Sequence, residues 1–311
     1  MVNVSNVISS FKDNPGYVAM RGLARFPIVR NFVTSARGAL NYRAYQEFLK
    51  DCEKRMDRSF FKGVDRHAFV KELDRKGLAF GLMLPEETIK EIRNYADKTP
   101  VYADRKPNMG FIYDQREAAE AKIGKPILVA QYFNARQDCG AIAKLVNDPF
   151  LEWVAAMYLG SVPTFVGSNL WWTSPVQASD EDKDKHAHFY HRDVDDFRFF
   201  KYFFYVTDVK EGEGAHICVL GSITNPPVIK KGDKWNIRRY TDAEINGYYP
   251  AGEILQITGP AGTGFAEDTL CIHKGSTPKT EPRLLLQIQY ALFDYGTMND
   301  DQNPGVLALI D

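Results

Sequence analysis

The spacing of apolar positions changes at about residue 160. Before it, residues 42 to 61 carry apolar side chains at helical spacing with dense charge between them. Residues 66 to 76 and 86 to 97 repeat the pattern, the second opened by Leu84-Pro85-Glu86, with proline near a first turn. KPILVAQYF (125 to 133) predicts a strand, and residues 138 to 158 predict one or two helices. From about Pro163 the apolar runs are short and bounded by Gly, Pro, Asn or Asp: TFVGSNLWWTS, FRFFKYFFYVTDV, AHICVLGS, ILQITGP, GTGFAEDTLCIH and RLLLQIQYALFDY. Strands at this spacing, without helices between them, predict an antiparallel sandwich or jelly roll. No linker forces a division. The expectation is one α+β domain over residues 1–311 with a mainly β core: 1–160 mostly helical support, 161–295 the jelly-roll core, 296–311 a tail. SDEDKDK (179 to 185) reads as a solvated, mobile loop.

Composition refines this picture without redirecting it. A chain of 311 residues suits one large domain or two ordinary ones. Hydrophobic content of 44% and charged content of 25% lie in the globular range. A net charge of -1 gives no general attraction to nucleic acid or anionic membrane. Cys52, Cys139, Cys218 and Cys271 form no CxxC pair, which speaks against a zinc ribbon or a thioredoxin-type site. The opening MVNVSNVISSFKDNPGYVAM has no continuous apolar core of signal-peptide length, and no run reaches the length of a membrane helix. A soluble, cytoplasmic protein is expected.

One run resists a purely structural reading. HFYHRDVDDFRFFKYFFYVTDV (188 to 209) has the aromatic content of a buried strand, yet His191-Arg192-Asp193 sets dense charge beside it. Buried without partners, such a cluster is costly. In a strand, residues two apart point to the same side, so His191 and Asp193 offer a nitrogen and a carboxylate oxygen to one point. His273, at the end of a later apolar run and before a Gly-containing turn, is the candidate third ligand. Two histidines and one carboxylate on one face of an octahedron leave three positions open, the facial triad of non-haem Fe(II) oxygenases. Arg283 opens RLLLQIQYALF, whose alternate positions put Arg283, Gln287 and Gln289 on one face and Leu284, Leu286, Ile288 and Tyr290 on the other. A polar inner face suits a strand lining a pocket for a dicarboxylate, which arginine binds with a permanently charged, planar fork.

Two stretches, HRDVDDFRFFKYFFYVTDVKEGEGAHICVLGS and GPAGTGFAEDTLCIHKGSTPKTEPRLLLQIQYA, carry these features together. They hold H-x-D, an aromatic strand ending in TDV, an acidic-Gly turn, a GS turn, a distal His and an Arg ten residues on. Over about residues 163 to 293 the chain resembles the Fe(II)/2-oxoglutarate dioxygenases, most of all the phytanoyl-CoA dioxygenase-like branch. The resemblance implies a double-stranded β-helix (a jelly roll) that binds Fe(II) and takes 2-oxoglutarate and O2 as co-substrates. It implies His191, Asp193 and His273 as the catalytic iron ligands and Arg283 on the distal carboxylate of 2-oxoglutarate. Ser276 stands for the hydroxyl that the family often sets soon after the distal His, here one residue later than Gly275. Phe203 or Tyr205, and Trp172, would wall the pocket. Ile223 stands where many relatives carry a His outside the triad. The implied reaction converts 2-oxoglutarate to succinate and CO2 and hydroxylates an unactivated C–H of a small-molecule or carrier-bound metabolite. Halogenation in this fold needs a vacant site where Asp193 stands. No motif selects the substrate.

The other candidate residues have structural readings. His186 and His188 differ in parity from His191 and adjoin the charged loop, so they are expected at solvent or the pocket rim. His216 is expected to pack on a strand, His67 to lie at the surface, and Cys271 to be a buried, inert thiol. Arg192, Asp195 and Asp196 are expected to project elsewhere and pair with each other or with Arg198. KKGDKWNIRR (230 to 239) reads as a solvated insertion or a site for an anionic substrate. HAH (186 to 188) and YPAGE (249 to 253) echo cupin fragments, so a cupin-like metal-binding jelly roll without 2-oxoglutarate oxygenase activity is the alternative. The Glu and later His that a cupin needs are not correctly spaced.

Overall fold

Helices in the first half begin where the sequence signals them. A computed structural model describes residues 14–233 and 237–310. The opening segment through residue 13, and the centre of the basic stretch 230–239, both read above from sequence, lie outside the described residues. Helices span Tyr42–Arg55, Arg66–Lys76 and Glu86–Lys98, the first ending six residues short of the end of the run that the apolar spacing marks. Asp65 caps the second by accepting from the amides of His67 and Ala68, each at 3.0 Å. Gly77 ends it with φ 74°, and a Cβ there would meet Cys271 Sγ at 2.5 Å, so both conformation and space call for glycine.

The helix Pro149–Leu159 is anchored by one carboxylate. Asp148 accepts from the amides of Phe150 (2.9 Å) and Leu151 (3.3 Å), and also from Ser59 Oγ and the Phe60 amide, both at 2.8 Å. It therefore ties the helix to a segment some ninety residues earlier. Asp148→Ala removes the cap and strands buried donors, and should cost about 2–4 kcal/mol of unfolding free energy. Urea denaturation reads this directly; a loss below about 1 kcal/mol would mean that water replaces these bonds.

Eleven strands follow the chain among the described residues: β1 (Leu78–Met83), β2 (Val101–Ala103), β3 (Gly110–Phe111), β4 (Val129–Tyr132), β5 (Thr164–Thr173), β6 (Phe199–Tyr205), β7 (His216–Val219), β8 (Ile254–Ile257), β9 (Thr263–Glu267), β10 (His273–Gly275) and β11 (Arg283–Ala291). They form an eight-stranded sheet in the order β1-β9-β6-β11-β5-β4-β2-β3 and a three-stranded sheet in the order β10-β7-β8. Every ladder is antiparallel. The architecture is thus mostly antiparallel sheet with helices.

The large sheet separates two cores. Leu284, Leu286, Ile288 and Tyr290 of β11 pack with Tyr202 and Phe204 of β6 into the principal core beneath the helices. The opposite face sends Phe203, Tyr205 and Leu285 against Cys218 and Ile257 of the small sheet. Period-two alternation along β6 and β11 therefore decides which side chains meet the helices and which face the space between the sheets.

Two expectations change, and the tail takes a defined place. The region before residue 160 holds four strands rather than one, and β1 lies between two helices as the edge partner of β9. SDEDKDK is not a loop: Asp180–Lys185 is a short helix, with Ser179 Oγ accepting from the Asp182 amide at 3.1 Å. The tail packs down: Asp300 accepts from the Ser168 amide at 2.6 Å, and Leu309 bridges to Gly110.

Candidate metal centre

His191 and His273 are brought together by the backbone. The amide of each donates to the carbonyl of the other, at 2.9 and 3.0 Å, while the Asp193 amide donates to Thr269 O at 2.8 Å. These bonds hang the H-x-D segment on the end of the small sheet. Nδ1 of His191 lies 2.9 Å from Phe189 O, and Nδ1 of His273 lies 3.0 Å from Cys271 O. A carbonyl can only accept, so each Nδ1 carries the proton and each Nε2 keeps its lone pair. Both Nε2 atoms turn to Asp193, at 3.5 Å from Oδ1 and 3.6 Å from Oδ2. The three ligand atoms lie within 4.8 Å of one another, and no other such group occurs among the described residues.

Electrostatics agrees with this geometry. Burial pushes the basicity of both histidines down, which keeps them neutral, as metal ligands must be. Burial alone would raise the Asp193 carboxyl, but the Lys201 ammonium, which also donates a hydrogen bond to it, opposes this and the group is held below the usual carboxylate range. Two neutral imidazoles and a carboxylate, with both outer nitrogens anchored, fit a divalent ion.

Lys201 escaped the sequence reading. It sits in β6 with Nζ 2.6 Å from Asp193 Oδ2 and 3.1 Å from Asp195 Oδ2. A lysine amid FFKYFF was the available signal, since a buried ammonium requires a carboxylate. Asp195 consequently faces the cavity. The expected pairing of Arg192, Asp195 and Asp196 with one another or with Arg198 does not occur. Arg192 Nε donates to Leu270 O (2.9 Å), Asp196 accepts from the Phe197 and Phe293 amides (2.7 and 2.8 Å), and Arg198 binds Asp74 (2.7 Å).

The triad opens into a cavity of about 260 Å³ between the sheets. Arg283, Leu285, Gln287 and Gln289 line it, the face of β11 that alternation predicts. The register pairs Arg283 with Thr173, Leu285 with Trp171 and Gln287 with Asn169. Trp171 rather than Trp172 therefore lines the cavity. Trp172 points into the principal core, donates to Tyr132 OH at 2.9 Å and stacks on Tyr113 with ring centres 4.2 Å apart. Phe203 lines the cavity as well, whereas Tyr205 packs behind it and donates to Ile257 O at 2.8 Å.

Arg283 is buried, with 3% of its surface exposed. Its Nη1 donates to Gly214 O and its Nη2 to Thr173 Oγ1 at 3.0 Å, while Nε has no partner. No carboxylate neutralises it among the described residues, and burial lowers its pKa. A desolvated guanidinium without a counter-ion invites an anionic ligand. Ser276 does not line this cavity; its Oγ donates to Ala215 O at 2.8 Å.

His186 and His188 are buried lining residues, not rim residues. His186 Nε2 lies 3.3 Å from Asp104 Oδ1, and His188 Nδ1 lies 2.7 Å from Thr277 Oγ1. Neither joins the triad. Burial, and next to it Arg283, pushes His188 down to about 3. His216 sits on β7, as expected, with its Nε2 2.5 Å from Glu267 Oε2. Burial drives the two in opposite senses, His216 down and Glu267 up. Cys271 is a buried thiol whose pKa burial raises, and His67 is exposed, edge-on to Trp153. In the described part of 230–239, Lys230 and Arg238 both reach Glu244 (3.0 and 3.1 Å), and Arg239 reaches Asp184 (3.0 Å), so these cations are internally paired.

The search of family models finds no match, and no curated protein matches. Similar solved structures do exist. The epimerase SnoN in complex with Fe3+, alpha ketoglutarate and nogalamycin RO is 16% identical, with a TM-score of 0.48 over 77% of this chain and 90% of that one. HygX from Streptomyces hygroscopicus, with nickel, 2-oxoglutarate and hygromycin B bound, is 12% identical, with a TM-score of 0.48 over 73% of this chain and 87% of that one. AviO1 from Streptomyces viridochromogenes Tue57 is 16% identical, with a TM-score of 0.49 over 73% and 95%. At such identities and scores, the chemistry of this chain rests on its own residues.

Proposed function

We propose that the chain is a non-haem Fe(II)/2-oxoglutarate-dependent oxygenase that hydroxylates an unactivated C–H bond of a small-molecule or carrier-bound metabolite. The observation that carries this reading is one cavity holding both a His-Asp-His ligand set and a buried Arg283 without a counter-ion. The two sheets are read as the halves of a double-stranded β-helix, in a single domain whose first 160 residues act mainly as helical support. That arrangement suits the phytanoyl-CoA dioxygenase-like branch.

His191, His273 and Asp193 would hold the iron. When bound, Fe(II) would supply the redox chemistry by which substrate, O2 and 2-oxoglutarate become hydroxylated substrate, succinate and CO2. Lys201 holds Asp193 Oδ2 by a charge-assisted hydrogen bond and so fixes how the carboxylate is presented. Arg283, steadied by Gly214 O and Thr173 Oγ1, binds the distal carboxylate of 2-oxoglutarate. Phe203, Leu285 and Trp171 form an apolar wall that restricts water beside the reacting centre.

Anaerobic addition of Fe(II) and 2-oxoglutarate should give a visible charge-transfer band, and aerobic turnover with substrate should give succinate. Absence of both would sink the reading. Because Asp193 fills the position that halogenation leaves vacant, turnover in excess chloride should yield an oxidised product without halogen, as mass spectrometry would report. A chlorinated product would overturn the hydroxylase assignment while leaving the iron site intact.

A further inference from the structure

The cavity carries polar lining groups besides those assigned to its proposed co-substrate. From Arg283 to Gln289 the lining strand runs six residues, roughly 20 Å at about 3.4 Å per residue. A five-carbon diacid held between Arg283 and the triad runs along this strand toward its Gln287–Gln289 end, where Gln289 pairs with Lys201 and so borders the metal site beside Asp193. That end is polar. Gln289 is 2% exposed and lines the cavity, and its Nε2 donates to Asp195 Oδ2 at 3.2 Å. This contact fixes the amide orientation, since a carboxylate can only accept. Gln289 Oε1 is then a buried acceptor without a partner, and Asn169 Oδ1 on the adjacent strand is another. Unmade hydrogen bonds of this kind are costly unless a ligand supplies the donors.

Charge narrows the class of donor. Lys201 already stands between Asp193 and Asp195, so a second cation there would meet an ammonium. Neutral O–H groups carry no such penalty. An acyl chain would leave both amide oxygens unsatisfied. We propose that Gln289 and Asn169, backed by Asp195, form the recognition edge for the substrate that is oxidised, and that this substrate is a neutral polyhydroxylated ring compound, sugar-like or cyclitol-like. The inference rests on the oxygenase reading and names the substrate class of that same site.

The test uses the full chain loaded with Zn(II) and 2-oxoglutarate, with ligand binding followed by saturation-transfer NMR. The probes are methyl α-D-glucopyranoside, myo-inositol, glucosamine and an octanoyl thioester. The neutral hydroxylated probes should bind, and Gln289→Leu should weaken them at least about tenfold, the effect of one buried hydrogen bond, while 2-oxoglutarate binds as before. Asn169→Leu, on a different strand, should act the same way and covers the case in which Gln289→Leu does not fold. Preference for the thioester, preference for glucosamine, no binding of either neutral probe, or unchanged binding in a folded variant each overturns the substrate class. If 2-oxoglutarate itself does not bind the unmodified chain, the oxygenase reading fails and takes this inference with it.

Discussion

Replacing His273 by alanine should remove tight metal binding and turnover together, while the fold survives. His273 supplies one of three ligand atoms and is the ligand that the small sheet itself contributes. Loss of an outer partner of a metal ligand already lowers affinity by about 10–100-fold, so loss of the ligand should exceed the upper figure. The backbone bonds between residues 191 and 273 do not need the imidazole, so circular dichroism and thermal melting should stay near those of the parent chain. His273 is the better test than Asp193. Removing Asp193 would leave the buried Lys201 with Asp195 alone, and a loss of stability would obscure the loss of metal. Isothermal titration with Fe(II) or Co(II) under anaerobic conditions gives the affinity. Parental affinity and activity in the variant would falsify the triad.

Arg283→Ala should weaken 2-oxoglutarate by about one to three orders of magnitude, with metal affinity little changed. A charge-assisted hydrogen-bonded pair contributes about 1.5–3 kcal/mol net, and breaking a buried pair costs about 3–5 kcal/mol, at about 1.4 kcal/mol per decade. Two fixed acceptors, Gly214 O and Thr173 Oγ1, hold the guanidinium in place before any ligand arrives, so little ordering remains to be done on binding. Arg283→Lys should rescue in part, since it keeps the charge and loses the fork. A titration of 2-oxoglutarate into anaerobic Fe(II) protein separates the outcomes. Parental affinity in Arg283→Ala would remove the strongest argument for this co-substrate.

What was legible in the sequence depended on local periodicity. The split faces of β11 follow from two-residue alternation within one strand, whereas His191 and Asp193 converge outside any strand, His191 in an isolated bridge to His273. What was not legible depended on register between strands. Trp171 and Trp172 are adjacent, and only the pairing of β5 with β11 decides which one meets the cavity. β1 reads as one more apolar run among helices because its partner β9 lies far along the chain. Asp195 was misread, and Lys201 overlooked, for a related reason. Their charges are mutually satisfied across a strand and the loop before it, a fact no single segment reveals. The two histidines of HAH were set at the rim because of the charged run before them, yet that run folds into a helix and leaves them inside.

The reciprocal amide bonds between His191 and His273 join segments far apart in sequence, so the ligand set exists only after that long loop has closed. Site assembly is therefore coupled to closure of that loop, and the amides of these two residues report it. Their hydrogen-exchange protection should rise when metal is added, by the linkage that lets a ligand specific to the native state stabilise it. Starved of metal, the chain should lose protection at this closure before it loses the large sheet.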